Sequence, residues 1–158
     1  MTKIKPLLIL VQWLGIFFLI NGFLRLFYSF KGAEIEYLKT AKVESHSPEY
    51  LTIVSDFLSY SAYMAVGAYL LGIVLIALIN LKRKNHFLNT IFVVVLGFAV
   101  FPLGILFGGV ISKTFNHFGG LFTNHYTYTF LIGGLTFSII GGLLIWKSSS
   151  IGKGTGIV

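Results

Sequence analysis

Residues 7–30 read LLILVQWLGIFFLINGFLRLFYSF and contain a single charged side chain, Arg25. About 20 consecutive apolar residues are enough for a helix to cross the ~30 Å hydrocarbon layer of a membrane. Three further stretches of this kind follow, at residues 57–81, 87–111 and 127–146. These runs are continuous, whereas the strands of a membrane barrel alternate apolar and polar residues. The sequence therefore predicts an all-α fold, in which residues 1–158 form one integral membrane four-helix bundle.

The overall composition agrees with this prediction. Of the 158 residues, 56% are hydrophobic and 11% are charged, so a water-soluble globule would have too few polar side chains to cover its surface. There is no cysteine, which excludes disulfides, thiolate metal sites and thiol nucleophiles. Lys3 and Lys5 precede the first stretch as they would in a signal peptide, but a signal h-region is only about 7–15 residues long. We expect the first helix to be retained.

The charged residues divide between the two ends of the predicted helices. All five acidic residues lie between the first and second stretches: Glu34, Glu36, Glu44, Glu49 and Asp56. Seven of the basic residues fall at the opposite ends: Lys3, Lys5, Lys82, Arg83, Lys84, Lys147 and Lys153. Short loops rich in Lys and Arg stay in the cytoplasm. We therefore expect a multi-pass protein of the inner (plasma) membrane with both termini in the cytoplasm.

The net charge of +7 raises the question of a nucleic-acid partner. Nucleic-acid binding would require a basic stripe on a folded surface. Here the charges form short clusters at helix ends, which favour contact with anionic lipid headgroups. The expected partners are membrane lipids and no nucleic acid.

The outer connection at residues 32–56 has a pattern of its own. Ile35, Leu38 and Ala41 recur at helical spacing, which predicts a short amphipathic helix along the membrane surface. Ser47 and Pro48 are typical of an N-cap and first helical position, so the second membrane helix can begin as early as Pro48.

Small residues and one proline indicate how the helices pack. Small residues let helix backbones approach closely in lipid, and each stretch supplies some: Gly15 and Gly22, Ala68 and Gly72, Gly104 and Gly108, then Gly134, Ser138 and Gly142. Pro102 lies within the third stretch and removes a backbone hydrogen bond, so it predicts a kink that opens a cavity. Residues 112–126 are expected to form a second outer loop.

Two polar stripes occupy the outer half of the predicted helices. Each follows i, i+4, i+7 spacing: Asn21, Arg25 and Tyr28 on the first helix, and Asp56, Tyr60 and Tyr63 on the second. An arginine in hydrocarbon is costly unless it pairs or reaches the headgroups. One hypothesis is that Arg25 pairs with Asp56 in an outer-leaflet pocket. The alternative is that Arg25 extends alone to the headgroups while the tyrosines form an aromatic belt.

Three histidines also lie on the predicted outer side, namely His46, His117 and His125. No two of them are spaced i, i+4, which argues against a metal site even with Glu44 and Glu49 near His46. We therefore expect no metal, no cofactor and no catalytic residue, and we add His117 and His125 to the candidate pocket.

The tract from Gly15 to Phe27, GIFFLINGFLRLF, resembles the first helix of the DoxX-like membrane family, where glycine, Phe-Leu, glycine and a basic residue recur. The segment FTNH at residues 122–125 is similar to that family's approach to helix four. Helix two lacks the acidic residue that many members carry within it, and Asp56, which lies earlier in the chain, is the nearest substitute. The resemblance implies four helices with cytoplasmic ends and an association with membrane redox or quinone-linked complexes.

Three functional hypotheses follow. The absence of a catalytic constellation favours an accessory or partner-binding subunit of a membrane complex, possibly redox or quinone-linked, with a protein partner or a second copy in the membrane. The outer polar stripe and Pro102 favour a binder or transporter of a lipophilic or small ligand, such as a lipid or a quinone. A lipid- or quinone-modifying enzyme would need an acid/base pair such as Asp56 with His125.

Overall fold

The computed structural model describes residues 4–40, 47–148 and 150–151, and all the regular structure in these ranges is helical. The helices are α1 (Pro6–Phe30), α2 (Gly32–Thr40), α3 (Pro48–Lys82), α4 (Phe87–Phe98), α5 (Val100–Gly120) and α6 (Tyr126–Ser148). Three of them, α1, α3 and α6, are long and apolar enough to cross a membrane, and α4 with α5 makes a fourth if the bent pair is one span. The predicted all-α class is confirmed.

The start of α3 follows the predicted capping pattern. The Ser47 side chain accepts a hydrogen bond from the Tyr50 backbone N–H at 3.2 Å, and Pro48 occupies the first turn. From there α3 runs for 35 residues. At ~1.5 Å per residue this is roughly 50 Å, longer than the ~30 Å hydrocarbon layer.

The predicted surface helix corresponds to α2, whose nine residues run from Gly32 to Thr40. Ala41 and the side chains of Ile35 and Leu38 lie outside the described part of the chain. The helix is therefore confirmed, and its amphipathic character stays a prediction.

The third apolar stretch is bent, as Pro102 predicts. It divides at Ala99 into α4 and α5, whose axes differ by 44°. Pro102 has no N–H to donate to the carbonyl of Phe98, and its ring would clash with that carbonyl in a straight helix. The bend therefore lies in the turn that precedes the proline.

Beyond the bend, α5 continues further than the sequence indicated. It ends at Gly120, so residues 112–120 belong to this helix and the connection to α6 is short. Phe115 and Gly119, four residues apart, are buried, whereas Lys113 and Thr114 are exposed. This one-sided burial is typical of a helix, and it corrects the prediction of a loop at residues 112–126.

Helix α1 makes its most extensive contact with α6, through glycines one heptad apart on both helices. A Cβ atom added at Gly15 would lie 3.1 Å from the Gly141 carbonyl oxygen, and one at Gly141 would lie 2.8 Å from the Gly15 carbonyl oxygen. Gly22 and Gly134 have equally close neighbours further along. The backbones thus touch over two turns, as small residues in lipid permit. We call these four glycines the glycine seam.

The structure confirms most of the predicted packing residues and corrects three. Ala68 is buried, and a Cβ at Gly72 would meet Ile16 at 3.1 Å, so this face of α3 packs on α1. Among the described residues, no atom lies within 4 Å of a Cβ added at Gly142, whereas the adjacent Gly141 makes the close contact with α1. No described atom lies within 4 Å of a Cβ added at Gly104 or Gly108, so these two glycines do not pack against another of the described helices.

A buried polar network joins four helices at the end of the molecule where α1 begins and where α3 and α6 finish. We call this part of the molecule the Gln12 end. The Gln12 amide donates to Asn80 Oδ1 at 3.0 Å and to Ser148 Oγ at 3.1 Å. Asn80 in turn donates to Gln12 Oε1 at 3.3 Å and to Thr90 Oγ1 at 2.9 Å. Gln12, Asn80 and Ser148 are almost fully buried. Buried amides are costly without partners, so this network fixes which helices meet at this end.

Candidate functional site

The opposite end of the molecule, where α1 finishes and α6 begins, contains a cavity of about 190 Å³. We call this part the Arg25 end. The cavity lies between α1, the Ala65 face of α3 and residues 100–112 of α5. The bend at Ala99 creates it, because α5 packs along α6 rather than along α3. Gly104 and Gly108 line the cavity, and Gly104 is exposed, so the space reaches the surface of the molecule.

Three of the predicted site residues line this cavity together. They are Asn21, Arg25 and Tyr28, one per turn of α1. Tyr28 is half-buried, and its ring stacks on Phe57 with centroids 5.1 Å apart. The i, i+4, i+7 stripe on α1 therefore faces an actual opening.

Arg25 is the least expected side chain of the cavity, because it is only 2% exposed and carries a charge. Its Nη1 donates to the Asn21 carbonyl oxygen at 3.0 Å and to Asn21 Oδ1 at 3.4 Å. The guanidinium lies over the Phe115 ring, with Cζ 4.6 Å from the ring centroid. Nε is buried and has no hydrogen-bond partner among the described residues. Charged side chains inside membrane helices normally pair with an opposite charge or with backbone carbonyls. Arg25 uses a backbone carbonyl, and no carboxylate of the described residues accepts from it.

The predicted pair of Arg25 with Asp56 is wrong. The ion pair found in the described ranges joins Lys31 to Glu34, and the Asp56 side chain is exposed. The reason is rotational: Asp56 precedes Ala68 by twelve residues, which at 3.6 residues per turn places it roughly 120° around α3 from the face that packs on α1. The alternative, in which Arg25 extends to the headgroups, does not fit a buried side chain either.

Asp56 lies instead in the electrostatic environment of Lys31. The hydrogen bond from Lys31 Nζ to Glu34 Oε1 raises the pKa of Lys31, and the charges of Glu34 and Asp56 act in the same direction. This group is on the surface, just beyond the end of α1. It is separate from the cavity.

The other predicted site residues are not in the cavity lining. Tyr60 and Tyr63 are 51% and 71% exposed, and their rings meet edge to face. His117 and His125 are also exposed, on the last turn of α5 and in the connection before α6. No hydrogen bond or ion pair within the described ranges joins Asp56 to His125, the acid/base pair that an enzyme would need.

His46 and Glu44 lie outside the described residues. Among those that are described, no three His, Cys, Asp or Glu side chains are grouped so that they could hold a metal ion. Glu49, the other acid considered near His46, accepts a hydrogen bond from the Tyr37 hydroxyl at 3.1 Å.

Sequence reasoning missed the α5 side of the cavity. Ser112 lines it and Phe115 covers the guanidinium, yet both fall where a loop was expected. Gly104 and Gly108 were expected to pack and instead leave space. The helical spacing of Phe115 with Gly119, four residues apart, was the available signal.

Comparison with known proteins assigns no relative. No protein-family model matches this chain, and neither a curated protein nor a solved structure matches it. The resemblance to the DoxX-like family therefore stays a prediction.

Proposed function

We propose that this chain is a four-helix membrane protein that binds a lipophilic ligand in the cavity beside Arg25, toward the outer leaflet. The observation that carries the proposal is a cavity lined by Asn21, Arg25 and Tyr28 that reaches the surface at Gly104. Ligand sites are typically concave and mostly apolar, with a few polar groups that fix orientation. This cavity has that composition.

The size of the cavity indicates how much of a ligand it would enclose. An engineered cavity of about 150 Å³ in another protein binds benzene. The 190 Å³ beside Arg25 would thus hold one ring or one headgroup, and the rest of an amphiphile would extend past Gly104. On this proposal the ligand enters sideways from the membrane between α3 and α5, and a lipid and a quinone both fit.

Two adjacent glycines provide a matched test. A Cβ at Gly108 or at Gly109 meets no described atom within 4 Å, so both positions have room for a larger side chain. Gly108 lines the cavity, whereas Gly109 is not among its lining residues. We expect mass spectrometry to find an amphiphile that purifies with the wild type and with Gly109→Leu but is lost from Gly108→Leu. The same molecules on all three proteins would contradict the proposal.

The proposed orientation rests on the charge asymmetry, and it can be tested because the chain has no cysteine. With both termini in the cytoplasm, Lys84→Cys and Ser150→Cys should resist an impermeant thiol reagent in intact cells. Asn124→Cys, in the exposed connection before α6, should react. The reverse pattern would invert the topology and move the cavity to the inner leaflet.

The accessory-subunit hypothesis has a different expected result in the glycine experiment. A protein partner that purifies with all three variants, with no amphiphile bound, would favour it. The enzyme hypothesis has less support, since Asp56 and His125 are both exposed and neither lines the cavity.

A further inference from the structure

The only permanently charged hydrogen-bonding group among the described residues of the cavity lining is a donor, the Arg25 guanidinium with its five N–H groups. Tyr28 and Ser112 each carry a hydroxyl group that can donate as well as accept, and Ser112 Oγ already accepts from Asn116 Nδ2 at 3.2 Å. The one side-chain amide oxygen in the lining, Asn21 Oδ1, already accepts from Arg25. No Asp or Glu of the described residues lines the cavity.

Within the described ranges, no acidic side chain forms an ion pair with Arg25. Its buried Nε has no partner among the described residues, and its Nη1 donates to uncharged oxygens of Asn21. The Phe115 ring shields one face of the guanidinium. Buried charges are normally paired, because desolvation is otherwise uncompensated. A ligand that brings an anionic oxygen would complete this set of contacts.

From these observations, and resting on the proposed function, we infer that the cavity binds the carboxylate or phosphate group of a membrane-soluble amphiphile. The anionic group contacts Arg25, with Tyr28 and Ser112 as further donors. The apolar tail leaves past Gly104, where the lining has no side chain to obstruct it. The guanidinium fork suits both anions, since each offers two oxygens to parallel N–H donors.

The test uses the full-length protein, stripped of lipid in dodecyl maltoside, which carries no anionic group. Binding is measured for dodecanoate, for uncharged dodecanol and decyl-ubiquinone, and for water-soluble acetate and inorganic phosphate. We expect dodecanoate to bind at least about tenfold more tightly than dodecanol, because a charge-assisted hydrogen bond is roughly twice as strong as a neutral one. Acetate and phosphate should bind more weakly still, since they gain nothing from the apolar surface.

Substitutions at Arg25 then separate charge from shape. Arg25→Gln should remove the preference for dodecanoate over dodecanol, and Arg25→Lys should retain it because the charge is kept. Equal affinity of the wild type for dodecanoate and for dodecanol or decyl-ubiquinone would overturn the inference, as would an unchanged preference in Arg25→Gln. Acetate or phosphate binding as tightly as dodecanoate would exclude an amphiphile.

The two glycine variants show whether a failure concerns the anionic ligand alone or the proposed binding cavity as well. Gly108→Leu should abolish binding of every amphiphile and Gly109→Leu should not. If both leave binding unchanged, or if no probe binds, the cavity is not the site and both proposals fail. If Gly108→Leu abolishes binding but charge has no influence, only the anionic ligand is wrong.

Discussion

Replacing Arg25 by methionine should stabilise the ligand-free protein, whereas the same replacement at Gln12 should destabilise it. Both side chains are polar, lie on α1 and are at least 98% buried. They differ in their hydrogen-bond partners: Gln12 bonds to Asn80 and Ser148, whereas the buried Nε of Arg25 has no partner in the part of the chain that the structure describes. Methionine is long, flexible and apolar, so it fills either position without leaving a large void.

The magnitude at Gln12 follows from its three hydrogen bonds with Asn80 and Ser148. Interhelical hydrogen bonds in a membrane protein average about 0.6 kcal/mol each, so their loss comes to about 2 kcal/mol. A charged side chain at the centre of a membrane helix costs about 2.5–3.5 kcal/mol, which is an upper limit for Arg25 because this residue lies near the end of α1. The hydrogen bonds to Asn21 and the contact with Phe115 offset about 2 kcal/mol of that cost. The expected net gain for Arg25→Met is therefore at most about 1 kcal/mol.

The measurement is the free energy of unfolding in dodecyl maltoside, from a reversible denaturant titration of the wild type and the two variants. Delipidation comes first, because a bound anion would stabilise the wild type and hide the difference. A loss of more than about 1 kcal/mol in Arg25→Met would refute the reasoning. It would mean that Arg25 is a structural residue whose contacts outweigh its desolvation.

Two further predictions concern packing and surface charge. Gly141→Ala should lower the free energy of unfolding by about 1–3 kcal/mol, because its Cβ would lie 2.8 Å from the Gly15 carbonyl oxygen. Gly142→Ala should be neutral in the same titration. Equal effects of the two substitutions would contradict the placement of Gly141, rather than Gly142, in the glycine seam. Glu34→Gln should lower the pKa of Lys31 toward 10.5, as followed by NMR titration, since the hydrogen bond from Lys31 to Glu34 is what raises it most. Because the pKa of Lys31 is higher in the folded state, the pair makes a small contribution to folding stability, which is fully present below the unfolded-state pKa of 10.5. This contribution is lost as the pH rises through the folded-state pKa. An unchanged pKa of Lys31 in Glu34→Gln would contradict the assignment.

Features that depend on local sequence were predictable. The apolar stretches match the helices because span length is a property of the stretch itself. The cap at Ser47 and Pro48 and the bend before Pro102 arise from hydrogen bonds within a few residues. The stripe from Asn21 to Tyr28 was found for the same reason, since its spacing needs only one helix.

Features that depend on how helices rotate against each other were not predictable. A shift of one residue turns a helix face by about 100°, which separates Gly141 in the seam from Gly142 outside it. The same uncertainty led to the wrong partner for Arg25. The Gln12 network was missed because its members come from four helices, and no sequence spacing relates Gln12 to Asn80 and Ser148.

The glycine seam also has a consequence for biosynthesis. Among the described helices α1 is synthesised first, yet the helix it touches most extensively is α6, which is synthesised last of them. Until α6 has been made, Gly15 and Gly22 lack their close neighbours, and Gln12 lacks its Ser148 contact. A nascent chain arrested before Tyr126 cannot bring α1 to its native neighbour. The packing of α1 therefore has to wait until α6 has been synthesised.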